Sequence, residues 1–219
     1  MRNILIVAGG AVAVAAIALA VWFGTRPTGP APAPVAVQAA PDKKALLAVQ
    51  ANDHVMGDAN APILMIEYAS FTCPHCASFH TQILPELKKK WIDSGKVKLI
   101  YRDYPLDKVA AQAAQLAECA PKDRYFPIID MIFRTQGNWA TQQDPIGALT
   151  TSLRIAGVGE NEAKACLANN AIADAVIADY RGGETLGVTS TPTIFVNGEM
   201  FKGGRSVDEF DALLTKLAK

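Results

Sequence analysis

Residues 62–79 read PILMIEYASFTCPHCASF: an almost wholly apolar run, a short turn, then two cysteines two residues apart. Pro62 to Ser70 is rich in strand formers and lacks the alternation of a half-exposed strand. It predicts a central strand buried on both faces, as in a parallel or mixed sheet. Proline suits the first helical turn, so a helix is expected from about Pro74. It continues through CASFHTQILPELKKKWIDSG, kinked at Pro85 and stopped at Gly95. Lys96 to Asp103, KVKLIYRD, alternates and predicts the next strand. The result is a right-handed βαβ unit with a short crossover helix and an α/β fold class.

From Leu106 to about Ala178 the pattern is helical, with Gly, Pro and Asn breakers between DKVAAQAAQLAEC, RYFPIIDMIFRTQ, DPIGALTTSLRIAG and GENEAKACLAN. Such a block between two strand regions predicts an inserted helical subdomain. TPTIFVNGEMFKGG then carries Asn197-Gly198 between two short apolar runs, a hairpin signal. Val207 to Leu217 closes the chain as an amphipathic helix. The expected division is 42–106 and 179–219 for the mixed sheet and its helices, and 107–178 for the insertion.

The first 24 residues are a separate matter. Ile4 to Gly24 is an uncharged apolar run preceded by Arg2 and followed by a proline-rich stretch. About 20 apolar residues suffice to cross a bilayer, and the positive flank keeps the N-terminus cytoplasmic. Two readings stand: a retained transmembrane anchor, or a signal peptide cleaved after Ala18-Leu19-Ala20. Residues 25–41 hold five prolines in TRPTGPAPAPVAVQAAP and predict an extended spacer.

The chain of 219 residues balances 21 basic against 21 acidic side chains. No basic run points to nucleic acid. Export implies an oxidising compartment, in which an even count of four cysteines invites pairing.

Cys73 and Cys76 admit three readings. A structural zinc site needs four ligands, yet Cys119 and Cys166 have no partners at short spacing, and His54 and His80 form no ligand pair. Covalent haem attachment needs His after the second cysteine, where Ala77 stands. A permanent bridge across so short a loop gains little entropy. The redox reading remains. Cys73 falls at a helix N-terminus, where free N–H groups and the dipole favour a thiolate, and a protonated His75 would add charge. A stable thiolate makes the disulfide a good oxidant. Cys76, one turn along, is the expected resolving thiol. No cofactor or metal is implied.

Two further residues fit this chemistry. Glu67 interrupts the buried strand, and a charge there is costly without a task. It could exchange a proton with Cys76; the alternative is an edge-facing surface Glu. Thr191-Pro192, before the hairpin, could form a cis bond that presents the Thr191 backbone to an extended substrate; the alternative is an ordinary trans proline.

EYASFTCPHC, the helical block and STPTIFVNG together resemble the DsbA family of bacterial thiol–disulfide oxidoreductases, over roughly residues 48–219. The resemblance implies a thioredoxin-like fold with a helical insertion. It also implies an exposed, attacked sulfur at Cys73 beside Pro74 and His75, and a buried sulfur at Cys76. Glu67 would be the buried acid, Thr191-Pro192 the cis-proline loop, and an apolar groove would receive unfolded chains. Three features depart from the best-known pattern. The chain carries the apolar N-terminal run, it has Thr before the proline as isomerase-type relatives do, and it adds Cys119 and Cys166. These two are expected to bridge each other within the helical block; two free buried thiols are the alternative.

The leading expectation is a monomeric, membrane-tethered periplasmic oxidase. It would donate the Cys73–Cys76 disulfide to reduced exported proteins and be reoxidised by a DsbB-like membrane partner. A disulfide isomerase or reductase is the nearest rival. A thiol metallochaperone is the alternative from another class, since soft thiolates suit Cu(I).

Overall fold

The computed structural model describes residues 42–219. The apolar run and the proline-rich spacer, with the anchor and signal readings attached to them, lie outside the described residues. Within them, no helix is long and apolar enough to cross a membrane.

Five strands form one mixed sheet in the order β1-β3-β2-β4-β5. They are β1 (Val55–Met56), β2 (Ile63–Ala69), β3 (Val97–Asp103), β4 (Thr193–Val196) and β5 (Glu199–Met200). The apolar run is the central strand, as its composition predicts. β2 runs parallel to β3, pairing Glu67 with Tyr101, and antiparallel to β4, pairing Glu67 with Ile194. Side chains alternate between sheet faces. Ile63 and Met65 therefore share a face with Glu67 and pack on Phe79, Leu84, Leu87, Trp91, Phe210 and Leu214. Ile66 and Tyr68 point the other way, into a cluster with Tyr104, Val188 and Phe195.

Pro74 opens the helix after β2, which is not uniform. α2 (Pro74–Ser78) passes into a π-helical turn over Phe79–Ile83, then α3 (Leu84–Leu87), then a second π turn over Lys88–Ile92. Pro85 has no N–H and its ring crowds the carbonyl four residues back. The wider turn just before it accommodates both defects, in place of a simple kink.

β3 departs from the alternation expected of KVKLIYRD: all of it is buried except half-buried Lys98. Arg102 is 1 % exposed because its guanidinium is fully used. It donates to Asp53 Oδ1 at 3.0 Å and Oδ2 at 2.8 Å, to the Ala48 carbonyl at 2.9 Å, to Tyr68 Oη at 3.2 Å and to the Leu46 carbonyl. The acceptors Leu46 and Ala48 lie at and just after α1 (Lys43–Leu46).

The helices between β3 and β4 are α4 (Lys108–Glu118), α5 (Tyr125–Arg134), α6 (Gln136–Trp139), α7 (Pro145–Ile155), α8 (Glu160–Leu167) and α9 (Asn170–Leu186). Asp107 and Asp144 cap α4 and α7, accepting from the Ala110 and Gly147 amides. Trp139 is wholly buried among these helices and donates to the Ile132 carbonyl at 2.9 Å. Cys119, at the end of α4, is joined to Cys166 of α8, with Cα atoms 6.0 Å apart. α9 runs past residue 178, where the sequence reading ends the insertion, to Gly187. Its Gly182-Gly183 pair does not break it. A Cβ on Gly183 would sit 2.7 Å from Tyr104 Cδ2, so the glycine permits close packing. The Asn197-Gly198 turn joins β4 to β5 with φ values of 48° and 88°, as a two-residue hairpin requires. α10 (Val207–Leu217) opens with a Ser206–Glu209 capping box.

Candidate active site

Cys73 is the N-cap of α2, with Pro74 in the first turn. Both motif cysteines are free thiols, and Cys73 keeps 6 % of its surface against none for Cys76. The order of accessibility matches the sequence expectation; the degree does not. Cys73 is nearly enclosed because the loop at Thr191 closes over it. Its thiol donates to the Thr191 carbonyl at 3.4 Å, and the Thr191–Pro192 bond is cis. The trans alternative for Pro192 is thereby set aside.

The environment splits the two thiols. Cys73 is held down to about 5, chiefly because the Cys76 thiol hydrogen-bonds to its thiolate. Burial opposes this, while the Thr191 side chain and the backbone N–H groups of Cys76 and His75 add to it. Cys76 is driven far up by burial, then by its bond to Cys73 and the charge of Glu67. The His75 ring itself is exposed. Its resolved contribution to the sulfur is main-chain N–H, at the helix entrance.

Glu67 has no exposed surface, which rules out the surface alternative. Its Oε2 lies 2.9 Å from His80 Nε2, and its Oε1 has no partner among the described residues. Sequence reasoning considered His80 only as a metal ligand and missed this pairing. The available signal was its spacing: four residues past Cys76, it falls on the same helix face. Gln136 was also missed. It donates to the Phe71 carbonyl at 2.7 Å and the Cys73 carbonyl at 3.0 Å, bracing the turn before the motif. No local pattern marks it.

Beside the cis bond lies an open groove of about 250 Å³, lined by Ser190, Pro192, Met200, Phe201 and Arg205. Among the described residues no group of three or more His, Cys, Asp or Glu is placed to hold a metal.

A thioredoxin family model matches residues 50–216. The alpha-DsbA1 protein of Wolbachia pipientis superposes with a TM-score of 0.73 at 32 % identity, over 81 % of this chain and 96 % of that one. The chain belongs to the DsbA-like thioredoxin family. A Rickettsia bellii relative, named as a protein-disulfide oxidoreductase, is 34 % identical over 160 residues, which is 71 % of this chain and 61 % of that protein. This DsbA-like chain thus spans about three fifths of the curated relative's length. BdbD from Bacillus subtilis shares the fold, with a TM-score of 0.70 at 24 % identity over 76 % of this chain and 93 % of that one.

Proposed function

We propose that the protein is a thiol–disulfide oxidoreductase that donates its Cys73–Cys76 disulfide to reduced exported proteins. One observation carries the reading: the Cys73 thiol is lowered to about 5, chiefly by the hydrogen bond from Cys76 and then by Thr191 and the helix-entrance N–H groups, beside a Cys76 thiol held strongly protonated. A thiolate stabilised in this way favours the reduced state, so the disulfide tends to pass itself on. A substrate thiolate attacks Cys73 Sγ, and the electron pair of the broken bond leaves on Cys76. A second substrate thiolate then attacks the substrate sulfur of the mixed disulfide and releases Cys73 as a thiolate. The substrate leaves oxidised by two electrons, and the enzyme is reduced by two.

In this reading Thr191, Pro192 and the adjoining groove hold an extended substrate segment, and Glu67 serves the proton of Cys76. The apolar run 4–24 anchors or exports the chain, residues 25–41 space the domain from the bilayer, and the site works in the periplasm. The protein acts as a monomer, and a DsbB-like membrane partner restores the disulfide.

Cys76→Ala tests the reading, because it removes the thiol that resolves mixed disulfides. Cells producing it should accumulate covalent adducts on Cys73 that reductant releases. The oxidised wild type should restore disulfides to a reduced, unfolded reporter protein. Failure to form either product overturns the catalytic assignment. Copper-dependent stability with no thiol exchange would support the metallochaperone instead.

A further inference from the structure

The fold buries a carboxylate and an imidazole together beneath the motif helix, and the imidazole alone reaches a second opening. Glu67 has no exposure and His80 has 3 %. Their 2.9 Å contact is the one hydrogen bond that the Glu67 carboxylate makes among the described residues. Three rings fix the imidazole. Phe133 stacks on it at 4.1 Å between centroids, and Phe79 and Tyr101 meet it edge-on at 5.7 Å and 5.9 Å. His80 also lies within the π turn Phe79–Ile83, a distortion common at functional sites. Beyond it opens a groove of about 360 Å³, lined by His80 with Met56, Leu84 and Phe126 and rimmed by Lys88, Asp130 and Arg134. This groove is distinct from the one beside Pro192.

We propose that His80 is a positioning residue for Glu67, relaying the Cys76 proton between that carboxylate and water in the groove behind the motif helix. The inference rests on the oxidoreductase reading above and assigns it a proton path. When a substrate thiolate bonds to Cys73, the Cys76 thiolate that leaves takes one proton from Glu67. His80 has loaded that proton onto Glu67 from the groove beforehand, so the transfer leaves the carboxylate free in the reduced protein. For reoxidation, the Cys73 thiolate attacks an external disulfide and expels one thiolate. Cys76 then returns its proton to Glu67, attacks Cys73 Sγ and expels the second thiolate. His80 carries the proton out, and two electrons leave on the external dithiol. The ionisable groups facing the pair are Cys76 of α2 and Tyr101 of β3, with Lys88, Asp130 and Arg134 at the groove mouth.

The test separates the two covalent steps. Reduced protein is mixed with oxidised glutathione, quenched with acid and weighed, so attack by Cys73 and closure by Cys76 are read independently. His80→Gln should leave the Cys73 ionisation and the first step within about twofold of wild type. It should slow closure about tenfold or more, within the range of general acid–base effects, and flatten its pH profile. Glu67→Gln should slow the same step, and the double variant should be no slower than the slower single one, as members of one path behave. Closure at the wild-type rate and pH profile in His80→Gln overturns the proposal, as do multiplicative losses in the double variant. Should His80→Gln fail to fold, closure by the wild type in mixed light and heavy water decides. A curved dependence, with more than one proton in flight, supports the relay and a linear one overturns it. Absence of any glutathione adduct on wild-type Cys73 would instead bring down the oxidoreductase reading, and the relay with it.

Discussion

Thr191 offers Cys73 two different groups: a carbonyl oxygen 3.4 Å from Sγ, and a buried hydroxyl without a partner among the described residues. The carbonyl accepts from the thiol and so favours the protonated sulfur. The hydroxyl can donate only to the thiolate. The Thr191 side chain is among the causes that lower Cys73, so the hydroxyl stabilises the thiolate.

Thr191→Val keeps the shape and removes the donor. The Cys73 midpoint, followed by thiolate absorbance in the far ultraviolet, should rise by roughly one pH unit, the worth of one weak charge-assisted hydrogen bond. An unchanged midpoint would assign the whole effect to Cys76 and the helix N–H groups.

The reduced protein should melt above the oxidised protein near neutral pH. Cys73 is lowered from 9.0 to about 5 on folding, so its ionisation contributes stability that is fully present above about pH 9. That contribution declines as pH falls and is gone below about pH 5. Paired melts of the two redox forms across this window check it. A gap that widened toward acid would contradict the sign.

Cys119 and Cys166 close a loop with a sequence separation of 47. Replacing both by Ala should cost about 2–4 kcal/mol in denaturant unfolding on the chain-entropy account. The bridge ties α4 to α8, and neither of its cysteines is among the causes that set Cys73, so the Cys73 midpoint should not move.

Asp179 has the opposite linkage to Cys73. Burial raises its carboxyl to about 7, although the Asp103 amide donates to it at 3.2 Å. A carboxyl raised from 3.8 costs nothing below about pH 4; the cost builds as pH climbs and is complete above about 7. Asp179→Asn should therefore match the wild type only below about pH 4, gain on it as pH rises, and melt higher by roughly 2–4 °C above about pH 7.

Much of this architecture was legible in short-range pattern. The apolar run PILMIEYAS is the central strand, Pro74 opens the helix, and Asn197-Gly198 makes the hairpin. Each is decided by residues close in sequence. Features that depend on distant partners were not legible. β1 is two residues long and is defined only by its pairing with β3. Arg102 looked like the exposed half of an alternating strand because its acceptors lie some fifty residues upstream. The site divides in the same way. Cys73, Cys76 and Pro192 announce themselves by local chemistry. His80 and Gln136 take their meaning from Glu67 and from the Phe71 and Cys73 carbonyls, which only the folded chain brings to them.

The Arg102 guanidinium has a mechanical consequence. It grips Leu46, Ala48 and Asp53 together while seated in an interior strand. Tension applied along residues 46–53 would load the middle of the sheet instead of peeling an edge. A lysine there, with three donors on a single point, could not hold the same latch.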